Sequence, residues 1–226
     1  MRAAYVDWRR RRPPDLGDLR RTTPLDPNWG YERGKPIDRV YVERFVGEHA
    51  ADIRGHVLEI AAPDYTSRFG TGVEQVDILM ATEGNELATI VGDLTDAPHI
   101  PSDTFDCAIV TQTLQFVYDV RAALATLHRI LAPGGVLLAT APGITKISAI
   151  EDEVFGEWWH FTGRSLRRLA EEAFGAGDVA VETYGNVLPA AGFLYGLAAS
   201  DLATEELDAR DPLYEVVIGL RAVKPA

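Results

Sequence analysis

From Pro36 onward the chain alternates short apolar runs with segments of helical period, and this alternation constrains the fold more than any other feature. Pro36 suits the first position of a helix, and Ile37, Tyr41 and Phe45, with Val42 and Val46, form an apolar stripe that ends near Gly47 or Gly55. Residues 56–60, 74–79, 88–91, 105–111 and 136–140 then read as strands rich in Val, Ile and Leu. Between the last two, Val120, Leu124, Leu127 and Leu131 recur at helical spacing, and Pro133-Gly134-Gly135 is expected to stop that helix. Strands alternating with helices imply a parallel sheet covered on both faces.

The end of the chain specifies which sheet. A loop holding Trp158, Trp159 and His160 leads to a helix over 163–174, a sixth strand over 179–184, an apolar helix of about 187–199 and a final strand over 214–223. The expected fold class is α/β: a Rossmann-like, seven-stranded, mostly parallel sheet with helices on both faces, preceded by an N-terminal arm plus helix. At 226 residues the chain suits one domain, over 34–226, with an appendage over 1–33. That appendage holds Arg9–Arg12, Arg20, Arg21 and four prolines without a sustained period. It reads as an irregular, solvated arm, the alternative being a tail folded across the active site.

Composition narrows the function. Thirty-four acidic against 22 basic residues give a net charge of −12, which draws the molecule to neither phosphate backbones nor anionic lipid, so no nucleic-acid or membrane partner is expected. The single cysteine, Cys107, leaves no internal disulfide, no multi-cysteine metal site, and a usage that suits a cytoplasmic protein. Cys107 reads as a buried small hydrophobe, and the five histidines show no ligand spacing, so no metal is expected. No apolar run reaches the length of a membrane span, and no apolar stretch marks a secretory signal. Phosphate-binding, serine-hydrolase and zinc-protease motifs are absent, and Gly70-Thr71-Gly72 precedes a strand where a dinucleotide loop would follow one.

VLEI (57–60), VDIL (76–79), GDLTDAPHIPSDTFD (92–106), LHRILAPGGVLLAT (127–140) and HFTGRSLRRLAEEAF (160–174), in this order and spacing, resemble the class I S-adenosylmethionine-dependent methyltransferases over about residues 34–226. The run RGKPIDRVYVERF (33–45) is similar to one in small methyltransferase-like proteins often found beside glycosyltransferases. The resemblance implies S-adenosyl-L-methionine as cofactor, bound beyond the carboxyl ends of the strands where strand order reverses, between the first and fourth strands. Glu59 then organises the following loop and faces the cofactor or braces backbone. Ala61 stands where such proteins carry glycine, so its methyl crowds the closest approach. Asp77 is expected at the end of the second strand, where a carboxylate accepts from both ribose hydroxyls. Asp93 would accept from the adenine amino group beside the Leu94 N–H, or is simply a turn former. Thr111 and Gln112 would lie over the methionine moiety.

On the acceptor side, the same resemblance puts Gln115, Trp158, Trp159, Arg39 and Tyr41 against substrate, with Arg39 as a helix-surface charge and Tyr41 as a core aromatic standing as alternatives. His160 is the candidate general base, or a residue stacked on the tryptophans at the start of its helix. Thr162 is the expected N-cap. The function implied is methyl transfer, O- or N-directed, to a small-molecule acceptor such as a sugar or secondary metabolite. The alternative is a catalytically silent protein of the same fold that binds a glycosyltransferase partner, and a third reading keeps the cofactor for a non-methyl reaction.

Overall fold

The computed structural model describes residues 17–226, so the arginine run Arg9–Arg12 lies outside the described residues. Seven strands form one sheet: β1 (Gly55–Ile60), β2 (Val73–Met80), β3 (Ile90–Val91), β4 (Phe105–Thr111), β5 (Leu131–Pro142), β6 (Val179–Tyr184) and β7 (Val217–Val223). Their order is β3-β2-β1-β4-β5-β7-β6. The pairs among β1 to β5 are parallel. β7 runs antiparallel to both β5 and β6. Strand order therefore reverses between β1 and β4, as the resemblance implies.

Alternate residues of the central strands feed two cores. Leu58 of β1 and Ala108 and Val110 of β4 pack with Leu124 and Leu127 of α3 (Val120–Ile130) and Leu166 and Ala170 of α5 (Gly163–Phe174). Val57, Cys107 and Ile109 face the other way, against Ile37, Val42, Phe45 and Val46 of α1 (Ile37–Glu48) and Phe193 of α6 (Val187–Leu194). The period of two in the strands and the helical stripes make each layer the complement of the other. Three short helices escape the periodic pattern: α2 (Asp64–Phe69), α4 (Ala149–Phe155) and α7 (Thr204–Asp208).

Several boundaries differ from expectation for local reasons. Pro133-Gly134-Gly135 does not end α3; it is an irregularity inside β5, where the register jumps between Phe105↔Leu131 and Cys107↔Val136. A Cβ on Gly135 would lie 2.7 Å from the Phe105 carbonyl oxygen, so only glycine lets the two strands approach there. β3 shrinks to two residues because Asn85 organises a turn, its side chain accepting from Leu87 N and its carbonyl from Ala88 N. α6 stops at Leu194 because Gly196, at φ 74°, turns the chain onto the Asp26 carbonyl, where a Cβ would not fit. β7 begins at Val217 because the preceding residues bond to the end of β5 and the loop beyond it, Val216 O accepting from Gly143 N and Glu215 O from Ile144 N.

The described part of the arm corrects the solvated-tail reading. Asp26 is 2% exposed, and its carboxylate accepts from Asn28 N at 2.6 Å and Glu32 N at 2.9 Å. Gly30, at φ 88°, presses on the Leu197 carbonyl. Residues 25–34 are thus fastened to the end of α6 and the turn that follows it, Leu25 N donating to Tyr195 O at 2.7 Å.

Candidate functional site

Two non-glycine residues sit in the left-handed region immediately beyond the strands that flank the reversal. Ala61, which follows β1, has φ 68°, and Gln112, which follows β4, has φ 47°. Each costs about 1 kcal/mol or more, and such strain persists where surrounding bonds over-determine it. Here Ala61 N donates to Leu79 O at 3.2 Å, Ala62 N to Ile60 O at 2.9 Å, and Gln112 N to Thr140 O at 2.9 Å. Asn85 Nδ2 donates to Ala61 O at 2.7 Å, fixing the loop after β2 against the loop after β1.

Glu59 is 2% exposed and accepts from Tyr65 N at 2.8 Å and Thr66 N at 2.9 Å, so its two oxygens brace the first turn of α2. Burial raises its pKa, and those bonds oppose the shift. Asp77 requires a correction of place: it lies three residues before the end of β2, paired in register with Leu58. Its Oδ2 is 2.6 Å from His56 Nε2 and 3.1 Å from Gln75 Nε2, and its Oδ1 accepts from Thr89 Oγ1 at 2.7 Å. The register of a parallel pair puts Asp77 on the face of Leu58 and His56, so its carboxylate bonds within the sheet rather than beyond it. Asp93 is exposed and accepts from Thr95 N at 2.8 Å in a side-chain turn, next to Leu94 at 5% exposure.

A cleft of about 220 Å³ opens from Gln112 toward the arm. Arg39 of α1, Gln115, Trp29, Lys146 and Glu157 are among its walls. Arg39 donates from Nη1 to the Tyr65 hydroxyl at 3.0 Å. The Lys146 ammonium lies 3.2 Å from the centre of the Trp29 ring, and burial lowers its pKa against the pull of Glu157 and Glu151. Asp38, also on the wall, has its pKa raised by burial, with Arg39 opposing.

Of the residues expected from sequence, Arg39, Gln112 and Gln115 line this cleft. Tyr41 does not: at 1% exposure it stacks on Tyr184 and donates its hydroxyl to Leu207 O, so the core-aromatic alternative holds. Trp158 and Trp159 contribute backbone, both N–H groups donating to Gln115 O, while their rings pack on Tyr118 outside the cleft walls. His160 also stands outside those walls, and it reaches them through Glu157, whose Oε1 is 3.1 Å from His160 Nε2. The Glu157 side chain is only 4% exposed, and its other oxygen accepts from Ser148 N at 2.6 Å. Thr111 ends β4, its carbonyl accepting from Thr113 Oγ1. Thr162 caps α5, accepting from Ser165 N at 3.1 Å. Cys107 is fully buried, and burial drives its thiol pKa upward. Sequence reasoning missed Trp29, Asp38, Lys146 and Glu157. The only signal for Glu157 was its place three residues before His160, and for Trp29 a large aromatic in an otherwise aperiodic arm.

Among the described residues no group of three or more His, Cys, Asp or Glu side chains is placed to hold a metal ion. None of their helices is long and apolar enough to cross a membrane. Residues 47–139 match the family model described as a methyltransferase domain. An 83-residue stretch is 31% identical to the Dictyostelium discoideum protein named "Probable polyketide synthase 5"; it covers 35% of this chain, which spans about 3% of that protein's length. Among solved structures, a SAM dependent methyltransferase from Archaeoglobus fulgidus superposes with a TM-score of 0.55 at 13% identity, covering 88% of this chain and 100% of that one. The N-methyltransferase NodS from Bradyrhizobium japonicum gives 0.53 at 14%, over 85% and 99% of the two chains. The [4+2]-cyclase SpnF gives 0.53 at 15%, over 84% and 82%. At these identities the likeness is one of fold.

Proposed function

We propose that this chain is a class I S-adenosylmethionine-dependent methyltransferase and that it transfers a methyl group to a small-molecule acceptor held in the cleft beside Gln112. The observation that carries this reading is the place of Gln112: strained at the reversal point beside Ala61, it is also a wall of the 220 Å³ cleft, so cofactor crevice and acceptor cleft meet at one residue.

The loop after β1 fits the cofactor in conformation, because Ala61 holds the left-handed backbone that glycine ordinarily supplies there. Ala61, Leu94, Thr111 and Gln112 would hold S-adenosylmethionine, with Asp93 toward the adenine and Glu59 bracing the loop from beneath. When bound, the cofactor supplies an electrophilic methyl group on a sulfonium. The chain's own contribution is alignment and exclusion of water. Asn28, Trp29 and Tyr31 of the arm close one side of the cleft, and Arg39 and Gln115 orient the acceptor. Glu157, paired with His160, is the group placed to take a proton from a hydroxyl acceptor; the pair spreads the charge that results. A sugar or secondary metabolite is the acceptor class, with the polyketide-synthase likeness in support of the latter.

A second reading has its own observation. The Asp77 carboxylate is committed within the sheet to His56, Thr89 and Gln75 and is not free to accept from a ribose, as expected of a catalytically silent binding protein that serves, for instance, a glycosyltransferase. Formation of S-adenosylhomocysteine from S-adenosylmethionine separates the two. Release that depends on an added hydroxyl- or amine-bearing acceptor supports the enzyme; none across a broad acceptor mixture, at enzyme concentrations saturated with cofactor, supports the silent partner.

A further inference from the structure

α4 is a helix without cover. Every residue of Ala149–Phe155 is exposed, Ile150 at 76% and Val154 at 63%. These two lie one turn apart on one face, and Ile147, also exposed, stands just before the helix. So short a helix does not persist in water on propensity alone; it lasts when an apolar face is packed. The body of the protein holds α4 at its ends, where Ser148 N donates to Glu157 Oε2 and the Phe155 ring packs on Phe116, and leaves the face of Ile150 and Val154 open.

Charge decides what fits that face. Glu151, Asp152 and Glu153 follow one another on the helix, all exposed. They repel a second copy of the same face and an anionic lipid surface, and they favour an occupant that joins apolar side chains to a row of cations. The chain itself has such a stretch in residues 1–16, where Tyr5, Val6 and Trp8 run into Arg9–Arg12, the one place in the sequence with four basic residues in succession.

The described chain also begins close by. Tyr195 donates its hydroxyl to Leu19 O at 2.8 Å, and Phe193, next but one before Tyr195, lines the same cleft as Ile150. From Gly17 back to Arg12 the extended chain reaches about 16 Å, and back to Trp8 about 30 Å.

We infer that the outer face of α4 is the docking surface for residues 1–16 of this same chain, with Tyr5, Val6 and Trp8 against Ile150 and Val154 and Arg9–Arg12 against Glu151, Asp152 and Glu153. Being tethered, the segment meets the face at an effective concentration in the millimolar range, so modest contacts suffice. Ile150 and Glu151 are cleft walls, which sets the docked segment at the margin of the cleft. The inference goes beyond the proposed reaction, since it needs neither cofactor nor acceptor.

Two experiments on the full chain without ligand test it. A spin label on Ala4→Cys, with Cys107 fully buried and closed to the reagent, is expected to broaden the amides of 149–155 in the labelled chain itself and not in an isotope-labelled second chain mixed with it. Val154→Ser, at an exposed position outside the cleft walls, is expected to remove more than half of that broadening. Hydrogen exchange of the same amides is expected to quicken about tenfold when Arg9→Glu, Arg10→Glu, Arg11→Glu and Arg12→Glu are made together, a change that leaves α4 itself untouched, while the amides of α3 keep their protection. Broadening of another surface or of none, broadening passed to the second chain, full broadening retained in Val154→Ser, or exchange at 149–155 unaltered by the arginine replacements would each overturn the inference.

Discussion

His56 Nε2 and Asp77 Oδ2 lie 2.6 Å apart across β1 and β2, so the carboxylate expected from sequence at the ribose is held within the sheet. The pair binds a strand of the central sheet to its neighbour on the face of Leu58, and Thr89 adds the loop before β3 to the same anchor.

Asp77→Asn is therefore expected to cost stability, by about 1–2 kcal/mol, while leaving cofactor affinity within about twofold. Burial is the largest influence on the Asp77 carboxyl and works upward, but the hydrogen bonds from Thr89, His56 and Gln75 together outweigh it and hold the pKa below its ordinary value. A carboxyl depressed in the folded state stabilises above its unfolded pKa, and that stability is lost as pH falls through the folded value. Urea unfolding should accordingly show the gap between wild type and Asp77→Asn at neutral pH closing below about pH 4. A large loss of cofactor binding without loss of stability would return Asp77 to the ribose.

Ala61→Gly removes the left-handed penalty of about 1 kcal/mol but restores freedom to the unfolded chain worth roughly 0.5–1 kcal/mol. Stability should change little, and affinity for S-adenosylmethionine should hold or tighten as the methyl leaves the closest approach. Ala61→Val, a branched side chain at φ 68°, should lose about 2 kcal/mol or more. Weaker cofactor binding in the glycine variant would place the cofactor elsewhere.

Asp26→Ala removes the acceptor of two backbone N–H groups in a nearly closed site, a loss of about 1–3 kcal/mol to the arm. Hydrogen exchange should quicken at residues 26–34 while the amides of α3 remain as protected as before. Equal change in both would mean that the arm is not a separate unit over the cleft.

The layers of this fold were legible because their signal is local. β4, β6 and α5 fall on the residues that apolar runs and helical spacing mark out, and Thr162 caps α5 as its position suggests. What stayed hidden depended on partners far along the chain. The bulge at Gly135 exists because Phe105 lies opposite, and α6 ends early because Gly196 meets Asp26. The site divides in the same way. Glu59 is the penultimate residue of β1, and Ala61 and Gln112 directly follow β1 and β4, so spacing locates them; the Trp29–Lys146 contact and the fastening of the arm join segments over 100 residues apart, which no local pattern records. Tyr41 shows the limit of a helical stripe, since one apolar face served both readings until packing against Tyr184 decided it.

The central claim is that the crevice between Ala61 and Gln112 holds S-adenosylmethionine. Calorimetric titration of the full chain with S-adenosylmethionine and S-adenosylhomocysteine, checked by melting, tests it most directly. One site per chain with micromolar to sub-millimolar affinity, and a Gln112→Ala variant that weakens it, is the expected result. Absence of both heat and melting shift at millimolar cofactor would contradict the claim.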